Sequence, residues 1–403
     1  MPQKRRRPGQ QRVAKNSPEH RHMALAAARL RTEGKTQAQI SEFLGRSQAD
    51  ISRLLEFASD LGWYDDHPRL SRDTIPEEDW NTMEQKYFVD YDLGDIFRDW
   101  APAGMKVDIR IFPEKDSAFC IHAASRLLDL IHNCQIFGVM YGYSVHLLKV
   151  ALEQMRLRLR KINDPDFKVI PLCGDPTHII NVELAEFTAS NLAGDFQRIL
   201  TGKDPTGGHT LNGVPAYTPI RFTLPEENGG SMDLQSFIRS IPGYQLIFGN
   251  GTRKNKGLID QLDGLVTGTG VLRSNINSIE NVQSTFIRER LRQEAGRTTV
   301  EELRDLIHGD IGGVLIERQG LSTSGQDLVD NLNKCWVGMT QDHLRNIAAK
   351  ANKTKGMPGV ILVAYEAYKA EMIKVLAERG FINHLIINEE VAGALRTLGL
   401  KKP

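Results

Sequence analysis

The sequence predicts an α/β protein with an all-α front end: an N-terminal helix-turn-helix domain followed by a Rossmann-like domain on a mainly parallel sheet. Three observations predict it. Two helix-start signals, T-x-x-Q at Thr36 and S-x-x-D at Ser47, flank a glycine turn near the N-terminus. From about Val107 onward, apolar runs of strand length alternate with helical stretches, the pattern of βαβ units. The 403 residues exceed one ordinary core, and 40% apolar composition is enough to bury two or three.

Composition narrows the function classes. Charged residues make up 25%, the formal net charge is +1, and no apolar run approaches the roughly 20 residues of a membrane span. The opening MPQKRRRPGQQRVAK is basic but has no apolar segment behind it, so neither a secretory signal nor a membrane partner is expected, and the location expected is cytoplasmic. Cys120, Cys134, Cys173 and Cys335 are scattered without CxxC spacing, which reads as buried free thiols rather than a metal site. Residues 1–19 form the first segment. Lys4, Arg5, Arg6, Arg7, Arg12 and Lys15 sit there among Pro, Gly and Gln, and Arg21 follows closely. Such a composition builds no core and is expected to be a disordered arm that can lie on a polyanion.

Residues 20–64 carry the clearest local signal. An Ala- and Leu-rich helix runs to about Glu33 and is ended by Gly34. Thr36 with Gln39 and Ser47 with Asp50 are capping boxes, in which each side chain satisfies an orphan N–H of the next helix. Ile40 and Leu44 face Ile51, Leu54 and Leu55 across a turn at Gly45. That is a helix-turn-helix, and its second helix turns Ser47, Gln48, Ala49, Ser52 and Arg53 outward. Gln can pair with adenine, Arg with guanine, and Ala can touch a thymine methyl; Thr36, Gln37 and Arg46 are counted with them as DNA-binding residues. A helical hairpin can also serve only for packing. Here the outward positions are small and hydrogen-bonding rather than a Glu/Lys mixture, and a basic arm precedes them, as DNA binding requires.

Residues 65–106 are acidic and rich in aromatics and prolines, and read as a connector with a helix or two. Asp65, Asp66 and Glu77-Glu78-Asp79 would repel phosphate, so a DNA contact should end near residue 60. In residues 107–403 the strand-like runs are VDIRIF, CQIFGVM, FKVIPLC, YQLIFG, GLVTGTG, GGVLIER, GVILVAY and NHLIIN. Helical stretches between them include SAFCIHAASRLLDLI, HLLKVALEQMRLRL and AYKAEMIKVLAERG. A parallel sheet built this way presents its site at the C-terminal strand ends. Several of those ends suit a small anion. YGYS enters a helix at about Val145, so free N–H groups face the loop. Gly268 and Gly270 flank Thr269, Lys369 opens a helix after GVILVAY, and Glu389-Glu390 follows NHLIIN. The basic loop GNGTRKNKG, 249–257, fits neither GxGxxG nor GxxxxGK[ST], so no nucleotide cofactor is expected.

Taken in order, TQAQISEFLGRSQADISRLL, FGVMYGYSVHLL, VIPLCGDP, VTGTG, GDIGGVLIERQG and VAYEAYKAEMIKVLAERGFINHLIINEEVAGAL resemble the SorC family of bacterial sugar-binding transcriptional regulators, sometimes grouped with DeoR. The resemblance covers nearly the whole chain from about residue 20. It implies an effector domain of the sugar-phosphate isomerase and deaminase type, oligomerisation through that domain as a homodimer or homotetramer, and a sugar, sugar phosphate or related polyol as effector. It places the phosphate loop on Gly142-Tyr143-Ser144, a second strand end on Gly174-Asp175, a Gly-x-Gly loop on Gly268-Thr269-Gly270, the helix lysine on Lys369, and the last acidic segment on Asn388-Glu389-Glu390. Tyr143 stands where the family carries a hydroxyl donor, Tyr365 and Glu366 where it carries glycines, and Asn388 where it carries aspartate. Extra residues fall around 203–257 and 322–355.

Two function classes follow. A regulator would bind operator DNA through the first domain and a metabolite through the second, acting on the nucleoid by allostery rather than chemistry. An enzyme of the same fold would isomerise or deaminate a sugar phosphate with Glu389, Glu390, Asp175 or His178 as general base. The sequence shows no base and orienting group at tight spacing, and an enzyme has no need of a DNA-binding unit. A third class, a DNA-binding scaffold without effector, requires the strand-end loops to be packed shut.

Overall fold

The chain, described in a computed structural model over residues 17–32, 35–64, 74–88, 90–112, 116–155, 161–175, 187–203, 211, 214, 223–225, 231–249, 256–273, 278–279, 282, 284, 287–288, 291 and 299–400, divides into two units, 1–89 and 90–403. The arm of residues 1–16 and Gly34, read as the end of the first helix, lie outside the described residues.

The first unit is helical: α1 (Pro18–Thr32), α2 (Gln37–Leu44), α3 (Gln48–Asp60) and α4 (Glu77–Phe88). Leu25, Ile40, Ile51, Leu54, Trp63, Trp80 and Met83 form its core. Within the stretch read as a connector, α4 packs on α1, and Asp79 pairs with Arg21 and His22. Arg21 also lies over the Trp63 ring at 5.3 Å, so it serves this unit's own packing rather than the basic arm.

The second unit begins with α5 (Tyr91–Trp100), β1 (Asp108–Phe112), α6 (Asp116–Ile131), β2 (Ile136–Val139), α7 (Tyr143–Met155), β3 (Lys168–Pro171) and α8 (Ala189–Thr201). Next come β4 (Thr223–Pro225), β5 (Ser231–Asp233), α9 (Leu234–Ser240), α10 (Pro242–Phe248), β6 (Gly264–Thr267), β7 (Thr269–Val271), α11 (Val300–Leu306), β8 (Ile307–Ile311) and β9 (Val314–Glu317). It closes with α12 (Thr323–Lys334), α13 (Gln341–Lys353), β10 (Gly359–Ala364), α14 (Ala370–Glu378), β11 (His384–Asn388) and α15 (Glu389–Leu400).

A six-stranded sheet in the order β1-β11-β10-β6-β2-β3, every pairing parallel, forms the frame, as the α/β reading expects. Alternation along the strands explains their unbroken apolar sequences. Leu265, Val360, Leu362, Leu385 and Ile387 bury on one face against Leu344 and Ile347 of α13, Ile373 of α14 and Val391 of α15. Val266, Ile361, Val363 and Ile386 bury on the other against Leu127 of α6, Leu148 of α7 and Phe196 of α8. Both faces are covered, so both residue parities must be apolar. The strand order reverses beside β2, which has β3 on one side and β6 on the other. A crevice therefore opens above the C-terminal ends of β2 and β6, where a doubly wound sheet binds ligands.

Two strand expectations are corrected. YQLIFG is not a strand: residues 242–248 form α10, because Pro242 stands at its N-terminus with φ preset for a helix, and a six-residue apolar run carries no period to separate the two. GLVTGTG is two strands, β6 in the parallel sheet and β7 in a separate antiparallel sheet β7-β8-β9 that also takes GGVLIER. The turn between β8 and β9 is Gly312-Gly313, with φ of 55° and 92°, the left-handed geometry a two-residue hairpin turn demands. Among the described residues, no helix is long and apolar enough to cross a membrane.

Candidate functional site

In the first unit both capping boxes close. Thr36 N–H donates to Gln39 Oε1 at 2.8 Å and Gln39 N–H to Thr36 Oγ1 at 3.3 Å. Asp50 N–H donates to Ser47 Oγ at 3.1 Å and Ser47 N–H to Asp50 Oδ2 at 3.4 Å. The Ser47 hydroxyl, donating to Asp50, also holds that carboxyl below its ordinary range. Gly45, at φ 62°, turns the chain between the helices. Ile51, Leu54 and Leu55 face inward, leaving Ser47, Gln48, Ala49, Ser52 and Arg53 exposed on the opposite side of α3. Thr36 is exposed, while Gln37 and Arg46 are half-buried. Ser52 Oγ donates to Gln37 Oε1 at 3.4 Å, so the two helix starts present one polar surface. Arg53 folds back along its own helix, 2.9 Å from Asp50 and donating to the Ala49 carbonyl at 3.1 Å.

In the second unit, a cavity of about 340 Å³ lies at the switch point of the sheet. Gly142, Tyr143 and Ser144 reach it from the β2–α7 turn, Gly268, Thr269 and Gly270 from the β6–β7 passage, and Lys369 from the segment after β10. The α7 N-terminus lies at one wall, a partial positive charge. Asp310 of β8 forms another wall, deeply buried. Ser284 Oγ donates to its Oδ1 at 2.5 Å and Gly313 N–H to its Oδ2 at 3.0 Å. Burial pushes this carboxyl above its ordinary value, against the pull of those two donors and of Lys369. Gly270 passes so close that a Cβ would stand 2.2 Å from Asp310 Oδ1, so no side chain fits there.

Lys369 does not present an unbalanced charge. Its Nζ is 2.8 Å from Glu366 Oε2 and lies over the rings of Tyr365 at 5.3 Å and Tyr368 at 5.9 Å. Tyr368 donates to the same Glu366 oxygen at 2.6 Å, and burial together with that carboxylate raises the phenol well above its usual range. Tyr143 is 57% exposed at the mouth and meets Phe187 edge to face at 5.9 Å. The cavity thus joins aromatic faces, hydroxyls and a neutralised lysine–carboxylate pair, an arrangement that hydrogen-bonds hydroxyl groups and stacks on the apolar face of a ring.

Gly174, Asp175 and Glu389 do not line this cavity. Gly174 N–H donates to the Val337 carbonyl and Asp175 N–H to the Val214 carbonyl, which ties that strand end to neighbouring loops. Glu389 pairs with Arg396 at 2.7 Å, and Asn388 is a structural cap that accepts from Val391 N–H and donates to the Tyr365 carbonyl. Glu390 is exposed on α15, and His178 lies outside the described residues. Sequence reading missed Asp310, Ser284 and Phe187. The signal for Asp310 was the Gly312-Gly313 pair between two β-like runs, which marks a hairpin and places Asp310 just before the turn.

No protein-family model and no curated protein matches the chain. Its fold is similar to that of the full-length sorbitol operon regulator SorC from Klebsiella pneumoniae, at 18% identity, over 94% of this chain and 100% of that one, with a TM-score of 0.48. It is similar also to a DeoR family transcriptional regulator from Listeria monocytogenes, at 15% identity, over 76% of this chain and 97% of that one, with a TM-score of 0.48. A transcriptional regulator from Streptococcus pneumoniae aligns at 16% identity, over 76% and 97% of the two chains, with a TM-score of 0.48.

Proposed function

We propose that this chain is a DNA-binding transcriptional regulator whose second unit binds a sugar, sugar phosphate or related polyol, and that ligand occupancy controls operator binding. One observation carries this reading. A doubly capped helix-turn-helix with an exposed hydrogen-bonding face occurs in the same chain as a polar, aromatic-walled cavity at the switch point of a parallel sheet. Among the described residues, three of the bases that the enzyme reading needs, Asp175, Glu389 and Glu390, stand off the cavity, and both Asp310 oxygens already accept hydrogen bonds; the fourth, His178, lies outside the described residues.

On this reading the protein works in the cytoplasm, on the nucleoid, as a homodimer or homotetramer. Two copies of α3 would read half-sites about 34 Å or a multiple apart. A ligand shifts such an equilibrium only by its different affinity for the two arrangements. The test begins with an operator recovered from random duplexes by binding selection. Thermal unfolding with free and phosphorylated sugars then finds the ligand, since about 100 Kd of ligand adds about 2.7 kcal/mol. Lys369→Ala and Ser144→Ala should abolish the ligand response and leave ligand-free operator affinity unchanged. A chain that enriches no duplex sequence, or variants that respond as the wild type does, would overturn the reading.

A further inference from the structure

Behind Tyr368 lies a second cavity, larger than the first at about 730 Å³. Val271 and Tyr368 line both, so the two share a wall. Their charges differ. Among the described residues, the strand-end cavity sets Asp310 and Glu366 against one cation, Lys369. The larger one is lined by Arg273, Arg318 and His308, with Glu371 as its one carboxylate among the described residues.

Both arginines are positioned by neutral partners. The Arg273 guanidinium lies over the Tyr368 ring at 5.5 Å. Arg318 Nε donates to the Arg304 carbonyl at 3.0 Å, and one of its terminal nitrogens stands 3.4 Å from His308 Nδ1. Among the described residues, neither arginine has a carboxylate within ion-pair distance, whereas the nearby Arg379 is paired with Glu317. Burial lowers the pKa of His308, and the charges of Arg318 and Arg379 lower it further against the opposing pull of Glu371 and Glu317. A half-buried histidine kept neutral beside a guanidinium is a hydrogen-bonding group for an oxyanion, and a guanidinium fork suits phosphate geometry.

We propose that the cavity bounded by Arg273, His308 and Arg318 is a binding site for a phosphate group, separate from the strand-end cavity. Arg318 and His308 hold the oxyanion from within, and Arg273 closes on it from the exposed side while stacked on Tyr368. Because Tyr368 also donates to Glu366 in the strand-end cavity, an anion that moves the Arg273–Tyr368 stack alters the neighbouring site directly. The phosphate can be a free ion or part of an ester, and both present the same chemistry. The inference rests on its own residues and stands apart from the regulator reading.

The experiment is calorimetric titration of the full chain with inorganic phosphate and, separately, with glucose 6-phosphate, at constant ionic strength set by chloride. Arg273→Ala, at an exposed position, and Arg318→Gln should each weaken phosphate binding by about tenfold or more. Ser144→Ala should leave inorganic phosphate binding unchanged. If the ester spans both cavities, Ser144→Ala weakens glucose 6-phosphate as well; if it binds through its phosphate alone, only the arginine variants do. A wild-type chain that binds neither probe overturns the proposal. So does phosphate binding that survives in both arginine variants and disappears in Ser144→Ala, which would seat the anion in the strand-end cavity and leave the proposed function standing.

Discussion

Replacing Arg53 by alanine tests the exposed face of α3 most directly. The side chain is 69% exposed, and in the DNA-free protein its charge rests 2.9 Å from Asp50. To reach a guanine edge it must leave that pair. A bidentate arginine–guanine contact is worth about 1–3 kcal/mol of discrimination, and breaking an exposed i,i+3 pair to make it costs about 0–1 kcal/mol. The net loss expected is about 1–2 kcal/mol, or ~5- to 30-fold in affinity for the selected operator. Fluorescence anisotropy on that operator and on duplexes changed at one base pair measures it. Loss confined to one position identifies base readout. Uniform loss with a salt slope shallower by about one identifies a phosphate contact instead. An Arg53→Ala protein with unchanged affinity and unchanged sequence preference refutes the placement of α3 as the reading helix.

Two further outcomes follow from the second unit. Gly270→Ala forces a Cβ to 2.2 Å from Asp310 Oδ1 and 2.5 Å from Ser284, and Asp310 is pinned by donors on both oxygens. We expect a loss of about 1–3 kcal/mol, read by urea unfolding, together with loss of the ligand response; wild-type behaviour in both would show that this wall yields. Acid stability should depend on Asp108, which lies 2.6 Å from Arg126 and 3.2 Å from His384. Burial by itself would raise this carboxyl, but Arg126 and His384 hold it well below the ordinary range. Its folded value is thus below its unfolded one, so its contribution is complete above the ordinary carboxylate range, near pH 4, and is lost as pH falls further. Asp108→Asn should remove about 1–2 kcal/mol at neutral pH and flatten the decline in acid; unfolding curves from about pH 2.5 to 7 that keep the wild-type slope would exclude the pair as its source.

The helix-turn-helix was legible because its signals are local. Thr36–Gln39 and Ser47–Asp50 are close in sequence and close in space, and each side chain reaches only its own helix start. The main sheet was legible because strands covered on both faces read as unbroken apolar runs such as GVILVA. The small sheet was hidden. Its strand β8, IHGDI, carries a charge and a glycine, and its pairing with β7 joins Gly270 to Asp310, which lie far apart in sequence. The cavity follows the same rule. Gly142, Ser144, Gly268, Thr269, Gly270 and Lys369 stand at turns that sequence marks, and the structure brings them together. Ser284 and Phe187 arrive through tertiary packing, which no local window encodes, and Asp310 is marked locally only by the Gly312-Gly313 turn that follows it. Gly174-Asp175 looked equivalent to the other strand ends, but β3 is the edge strand of the sheet, away from the reversal between β2 and β6.

A single residue, Gly268, separates the last paired position of the parallel frame from the first of the antiparallel sheet. Residues 269–317 therefore leave and rejoin the framework as one insert, carrying Thr269, Gly270, Ser284 and Asp310 with them. About a third of the cavity's described lining is in this way a transplantable cassette. On the proposed function, a chimera that exchanges this insert between proteins of the same frame should change the molecule sensed while leaving the parallel strands and the first unit untouched.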